Sequence, residues 1–237
     1  MTAYSGAAHC YDLLYHGKDY RGEAAVVAGI VRARAPHARR VLDVACGTGR
    51  HAAHLAADHG FRTDGIDAEP RFVDQARARN PAGTFHCEDM RRFDLHASFD
   101  AVICLFGSIG YARDEAGLRQ TIAAMARHLA PGGVLVVEPW FEPGAVQDGH
   151  VTCLTAEGPG MWLCRMSRTE VRKRVSVLHF EYLVGRPDAI EHVSERHELG
   201  LFTRGEMVEA IRAAELTVEF DPQGLTGRGL YVACRSI

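Results

Sequence analysis

No apolar run in this 237-residue chain approaches the length that crosses a bilayer, which leads to the expectation of a soluble protein with no membrane partner. An excess of basic charge is also missing. Twenty-seven Lys and Arg against 30 Asp and Glu leave a net charge of -3, too little positive field to recruit nucleic acid. The short basic stretches Arg32 to Arg40 and Arg165 to Arg174 are interrupted and read as solvated helix and strand faces, the second as an edge strand blunted by arginine. Seven cysteines are present, but no two have the spacing of a zinc ribbon or redox pair. Their odd number and the lack of a secretory leader predict a reducing, cytoplasmic setting. His51 and His54 lie three apart on a helix, yet no carboxylate or cysteine is placed to complete a ligand set, so no metal is expected. There is no internal repeat and no low-complexity segment.

What is present is ordinary globular material, 47% hydrophobic and 24% charged, long enough for one α/β domain with a small insertion. An aromatic-rich segment runs from Tyr4 to Tyr20, and the first forty residues read as helix, with apolar Ala24 to Val31 before Pro36. Then strand and helix alternate. Strands are expected at Val41–Val44, Arg62–Ile66, Thr84–Cys87, Ala101–Phe106 and Gly133–Glu138, with helices at Arg50–His59, Glu69–Arg79 and Glu115–Leu129. Pro131-Gly132-Gly133 reads as the break before the fifth strand. This alternation is the mark of a parallel sheet covered on both faces. From Gly149 to Leu199 the pattern changes to period two, as in Val175 to Val184, and predicts antiparallel strands. Thr203 followed by Glu206 is a capping box for a helix reaching about Ala214, and strands near Leu216–Phe220 and Leu230–Cys234 close the sheet.

The chemistry centres on Val41 to Gly49 (VLDVACGTG), a strand, a glycine turn and a helix start, where exposed backbone N–H groups face a ligand. Two phosphate-binding readings fail on missing residues. A dinucleotide fingerprint needs a third glycine where Ala52 stands, and a P-loop needs a lysine and hydroxyl where Arg50 and His51 stand. An acidic residue, Asp67, closes the second strand about twenty residues on, suited to a ribose diol. Glu88-Asp89-Met90 follows the third strand, suited to an adenine amino group.

These motifs resemble the class I S-adenosylmethionine-dependent methyltransferases. DVACGTGR matches the glycine loop, GID the ribose strand, EDM the adenine turn, and PGGVL the turn before the fifth strand. The resemblance implies a Rossmann-like α/β fold with a seven-stranded methyltransferase sheet and an inserted small antiparallel β layer. Residues 1–139 and 200–237 would form the cofactor-binding core, and 140–199 the insertion over the acceptor site. The implied cofactor is S-adenosylmethionine, with S-adenosylhomocysteine as product. Its site would comprise Tyr11, Tyr20, Asp43, Ala45, Gly47, Gly49, Asp67, Asp89, Met90 and Phe106, with Gly47 and Gly49 lining the methionine part.

A further resemblance extends almost end to end, to the N,N-dimethyltransferases of nucleotide-linked amino sugars that make the dimethylamino sugars of macrolides. It is carried by YDLLY from Tyr11, GKDY from Gly17, FGSIGY from Phe106 to Tyr111, VEPWF from Val137 to Phe141, and GRGL from Gly227. The implied acceptor is a dTDP-linked amino sugar in antibiotic biosynthesis. Tyr11 would touch the cofactor's amino-acid end, and Tyr111 would orient the amine or relay its proton. Tyr15, Trp140, Arg165, Ser167 and Arg228 would meet the nucleotide sugar, Arg228 foremost because its flanking glycines admit a diphosphate. Tyr15 and Trp140 read equally as ordinary aromatic packing, and Arg168, Arg172 and Arg174 cannot be assigned. Another small amine or hydroxyl acceptor, or a non-catalytic cofactor-binding partner, are the alternative functions. Base methylation is disfavoured, since no Asn/Asp-Pro-Pro-Tyr/Phe motif follows the fourth strand. The insertion would cover the acceptor pocket, form a homodimer face, or both.

Overall fold

The computed structural model describes residues 8–236, so Tyr4 of the aromatic segment lies outside the described residues. A short helix α1 (Tyr11–Leu14) and a longer α2 (Tyr20–Arg34) stand where one helical region was expected, separated around Gly17. Asp19 restarts the helix, its carboxylate accepting from the Gly22 N–H at 2.8 Å. The alternating unit follows as β1 (Arg40–Val44), α3 (Arg50–His59), β2 (Arg62–Asp67), α4 (Pro70–Arg79), β3 (Phe85–Cys87), β4 (Phe99–Cys104), α5 (Glu115–Arg127) and β5 (Leu129–Val137). Four strands come next: β6 (Val151–Gly158), β7 (Met161–Arg172), β8 (Val175–Gly185) and β9 (Ile190–Gly200). Helix α6 (Arg204–Ala213) and strands β10 (Leu216–Asp221) and β11 (Leu230–Arg235) complete the chain.

The main sheet has seven strands in the order β10-β11-β5-β4-β1-β2-β3. Its central strands are apolar on both faces, as burial by helices on each side requires. Val41, Ala101, Ile103, Val134 and Val136 pack with α2 and α3, while Leu42, Val102, Cys104, Leu135 and Val137 pack with α5 and α6. The other sheet is antiparallel, in the order β6-β7-β8-β9.

Three expectations need correction. Pro131-Gly132-Gly133 does not precede β5 but lies inside it: Phe99 pairs with Leu129 and Ala101 with Val134, so the extra residues loop out as a bulge. Strand β4 stops at Cys104 because Phe106 turns into the left-handed region, at φ 56°. The arginine-rich strand β7 is not an edge, since β6 and β8 flank it. Arg172 there pairs with Glu170, and Arg174, in the turn that follows, pairs with Glu206.

The capping box is present: the Thr203 side chain accepts from the Glu206 N–H at 3.2 Å, and Glu206 accepts from the Thr203 N–H at 2.8 Å. Neither residue lines the cavity described below. Thr203→Ala should therefore lower stability by about 1 kcal/mol and Tm by about 2–4 °C, leaving cofactor affinity unchanged. Thermal melts paired with calorimetry check this; an unshifted Tm would show that the box adds nothing.

Candidate active site

The carboxyl ends of β1, β2, β4 and β5 open onto one cavity of about 800 Å3, roofed by the inner face of β7 and β8. This is where ligands collect in open α/β sheets. Ala45, Gly47, Asp67, Asp89 and Met90 line one half, and Tyr111, Trp140, Arg165, Ser167 and Arg228 line the other. Tyr11, Tyr15 and Phe106 also line it, with Tyr11 supplied by α1 and Tyr15 by its C-cap.

The glycine loop is shaped by two different demands. Gly47 has φ 55° and nothing within 4 Å of where a Cβ would stand, so its bare backbone faces the cavity. Gly49 (φ 75°) is glycine for packing instead: a Cβ there would meet the Ala76 Cβ at 2.8 Å, where α3 approaches α4. Gly49 does not line the cavity. Tyr20 does not line it either; it is buried, its ring 4.9 Å from the His51 ring.

Asp43 lies beneath the loop, 2% exposed, and its Oδ2 has no hydrogen-bond partner among the described residues. Burial, aided by the nearby Asp67 charge, pushes its carboxyl up to about 8. Asp67 accepts from the Gly47 N–H at 2.8 Å and from the Glu69 N–H at 2.9 Å, closing the loop onto β2. Burial raises its carboxyl as well, to about 6 despite those bonds. Two acids crowded at a loop with an open backbone cradle suit a ligand carrying positive charge. They disfavour a pyrophosphate. Asp89 is held by the Arg91 backbone N–H at 2.9 Å and by its guanidinium, which keeps the carboxyl below the ordinary range.

The aromatic segment Tyr11 to Tyr15 is fastened on both sides. Tyr11 packs on Tyr15 at 4.7 Å and on Phe72 at 4.9 Å between ring centres, and Tyr15 stands edge-on to Phe106 at 5.4 Å. Asp12 accepts from the Thr48 hydroxyl at 2.7 Å and from Arg79, tying α1 to the glycine loop. Arg165 donates to the Tyr15 hydroxyl at 2.9 Å, tying α1 to β7. Lys18 sits 4.4 Å from the Phe106 ring centre and pairs with Glu23, which also bonds His51 Nε2 at 2.7 Å. His54 bonds Asp58, so each member of the histidine pair has an acidic partner rather than a shared ligand.

Glu138, fully buried at the end of β5, organises the other half. It accepts from the Phe106 N–H at 2.6 Å, which fixes that left-handed turn, and from Arg228 at 3.1 Å and Thr226. Trp140 is both cavity wall and anchor, its indole donating to Ser176 of β8 at 2.8 Å. Arg165 and Arg228 each keep a buried Nε without a hydrogen-bond partner among the described residues. Asp12 and Glu138 were missed in the sequence, although an acid ending the apolar run Val134 to Val137 was a legible signal.

Comparison with known proteins agrees with this geometry. A methyltransferase-domain profile matches residues 41–133. A dTDP-3-amino-3,6-dideoxy-alpha-D-glucopyranose N,N-dimethyltransferase of Streptomyces fradiae is 42% identical over 96% of this chain and 91% of its own length. The chain belongs to the class I methyltransferases, among the amino-sugar N-methyltransferases. The crystal structure of DesVI from Streptomyces venezuelae superimposes on this methyltransferase with a TM-score of 0.90, at 38% identity, covering 97% and 98% of the two chains. The S-adenosylmethionine-bound CalS10, an amino pentose methyltransferase from Micromonospora echinaspora, gives 0.85 at 41% identity, covering 95% and 96%.

Asp43 provides a direct test. Its folded carboxyl titrates near 8 against an ordinary 3.8, so between those values the unfolded chain binds fewer protons than the folded one. Its contribution to ligand-free stability therefore falls as pH rises from about 4 to about 8, by at most about 1.4 kcal/mol per pH unit. Asp43→Asn should flatten the Tm-against-pH curve of the ligand-free protein between about pH 6 and 8. The same variant should weaken S-adenosylmethionine about tenfold or more, for loss of the buried charge. Parallel Tm curves for the two proteins would refute this account of Asp43.

Proposed function

We propose that this methyltransferase transfers methyl groups from S-adenosylmethionine to the amine of a dTDP-linked amino sugar in natural-product biosynthesis. The observation that carries it is the pair Arg165 and Arg228: both line the acceptor half of the cavity, and both hold buried Nε donors without a partner among the described residues. Guanidinium groups pair with phosphate by charge-assisted, forked hydrogen bonds, so a nucleotide diphosphate would complete these donors. The S. fradiae relative, matched nearly end to end, is named for such a substrate.

Asp43, Gly47, Asp67, Asp89 and Met90 would hold the cofactor. When bound, S-adenosylmethionine supplies an electrophilic methyl on a sulfonium and leaves as neutral S-adenosylhomocysteine. The chain's own work is placement. Tyr11 and Tyr15 close over the junction of the two half-cavities and exclude water, and Phe106 walls it from below with Lys18 behind the ring. Tyr111 orients the acceptor amine so that its lone pair lies in line with the methyl. Arg165, through Tyr15, links lid position to the arrival of the nucleotide sugar.

Other parts of this reading concern the setting. The enzyme is cytoplasmic and engages neither nucleic acid nor membrane; among the described residues no helix is long and apolar enough to cross one. It works as a homodimer, and the exposed Trp162, Met166, Leu183 and Ile190 on the outer face of the four-stranded sheet are where a second copy would bury apolar surface.

Mass spectrometry of the enzyme incubated with S-adenosylmethionine and dTDP-linked amino sugars should show products heavier by one or two methyl groups. Arg165→Met should raise KM for the nucleotide sugar about tenfold or more while leaving cofactor affinity within about twofold. Absence of a mass shift with every amino sugar tried, or equal loss of both affinities in the variant, would overturn the proposal.

A further inference from the structure

Two cysteines that stand 11 positions apart in the chain meet on the outer face of the antiparallel sheet, their sulfurs 3.6 Å apart. Cys153 of β6 lies across the ladder from Met166, and Cys164 of β7 lies across from Thr155. Residues opposite one another share a face, and so do residues two apart along a strand, so the two thiols leave the sheet on the same side as diagonal neighbours. Both are free thiols, Cys153 exposed and Cys164 half-buried. Hydrogen bonding to Cys153 raises the Cys164 thiol above its ordinary value, so Cys164 keeps its proton and Cys153 meets an incoming reagent first. The strand that carries Cys153 can adjust: β6 is at the end of the order β6-β7-β8-β9, and most of its side chains are exposed. It nevertheless reaches the cavity. Thr152, next to Cys153, bonds Ser167 through its hydroxyl, and Arg165 is next to Cys164; all three line the cavity from the opposite face of the sheet.

We infer that Cys153 and Cys164 are an oxidation site, which a low-molecular-weight disulfide converts to a cross-link that shifts β6 and weakens the hold of the cavity wall on the acceptor. The Cys153 thiol gives its proton to the solvent, its sulfur attacks one sulfur of the reagent, and one small thiolate leaves. Cys164 then loses its proton and attacks the Cys153 sulfur of the mixed disulfide, and the second small thiolate leaves. Two electrons pass from the cysteine pair to the reagent, which is reduced to two thiols. Closing the bond brings the sulfurs together by about 1.5 Å. Strand β7 is held on both sides, so the edge strand β6 gives way, and the Thr152–Ser167 bond on the reverse face is displaced with it. In a reducing setting the pair stays open, and it closes as disulfide oxidants accumulate. The effect on the acceptor rests on the reading of this cavity as an amino-sugar site; formation of the cross-link does not.

Trp162 and Met166 flank Cys164 on the same face, where a second copy would cover the pair, so the test uses full-length enzyme dilute enough to elute as one copy. The protein is treated with excess oxidised glutathione and then digested. The tryptic peptide from His128 to Arg165 contains both cysteines and should become lighter by two hydrogens; after cleavage at Glu157 its parts should stay joined until a reductant is added. Cys153→Ser should abolish both changes. The cross-linked enzyme should show a KM for the dTDP-linked amino sugar raised about threefold or more, with cofactor affinity within about twofold, and reductant should restore the parental value. Cys153→Ser given the same treatment should keep its KM. Glutathione left attached at either cysteine of the parent enzyme, or a link between two chains, overturns the oxidation site. A KM that does not move on cross-linking, or moves equally in Cys153→Ser, overturns its hold on the cavity. Should no amino sugar serve as acceptor, the peptide masses decide the site alone.

Discussion

Two carboxylates enclosed at the end of adjacent parallel strands set the terms for the rest of this protein. Asp43 and Asp67 are brought together because β1 and β2 pair in register and both end at the glycine loop. Burial and mutual repulsion make their ionised forms unfavourable without a positive neighbour, and the fold keeps them nonetheless. Asp67 is partly settled by backbone N–H groups from Gly47 and Glu69, while Asp43 has an oxygen with no partner among the described residues. A cationic ligand relieves this arrangement and an anionic one aggravates it. That asymmetry separates a sulfonium cofactor from the dinucleotides that other α/β sheets hold at the same place.

The other components can be understood as shaping the space beside that charge. Glu138 fixes the strained turn at Phe106 and steadies Arg228, so one buried acid holds two parts of the cavity wall. Helix α1 is only four residues long, yet Asp12 fastens it to the glycine loop and Tyr15 to β7. These ties join the N-terminal segment to both the glycine loop and the antiparallel sheet. The antiparallel sheet supplies polar residues at inward positions where alternation would otherwise place apolar ones: Arg165, Ser167, Glu195 and His197. Its inner face is thus mixed in polarity and forms part of the cavity wall, while the main sheet is a packed core.

The glycine loop and the acids that follow it were legible in the sequence because they are local. A glycine turn after an apolar strand, and acids ending the next strands, are read within a few residues of each other. Helix boundaries at Arg50–His59 and the capping box at Thr203 were legible for the same reason. The bulge in β5 was not, since Pro-Gly-Gly signals a break and only the pairing with β4 shows that the strand continues past it. The two roles of Gly47 and Gly49 are indistinguishable in one dimension; what separates them is Ala76, contributed by another helix. The other half of the cavity is non-local throughout. Tyr111 meets His197 across 86 positions of chain and Tyr15 meets Arg165 across 150, so resemblance named some of these residues while geometry alone joined them.

With its carboxyl raised to about 8, Asp43 should give up its proton when a cationic cofactor arrives. Calorimetric titration of S-adenosylmethionine into ligand-free protein at about pH 6.5, in two buffers of different protonation enthalpy, counts that proton. Binding should release close to one proton per site, as the carboxyl of Asp43 ionises against the incoming charge. Heats that are independent of the buffer, or a net uptake of protons, would contradict the account.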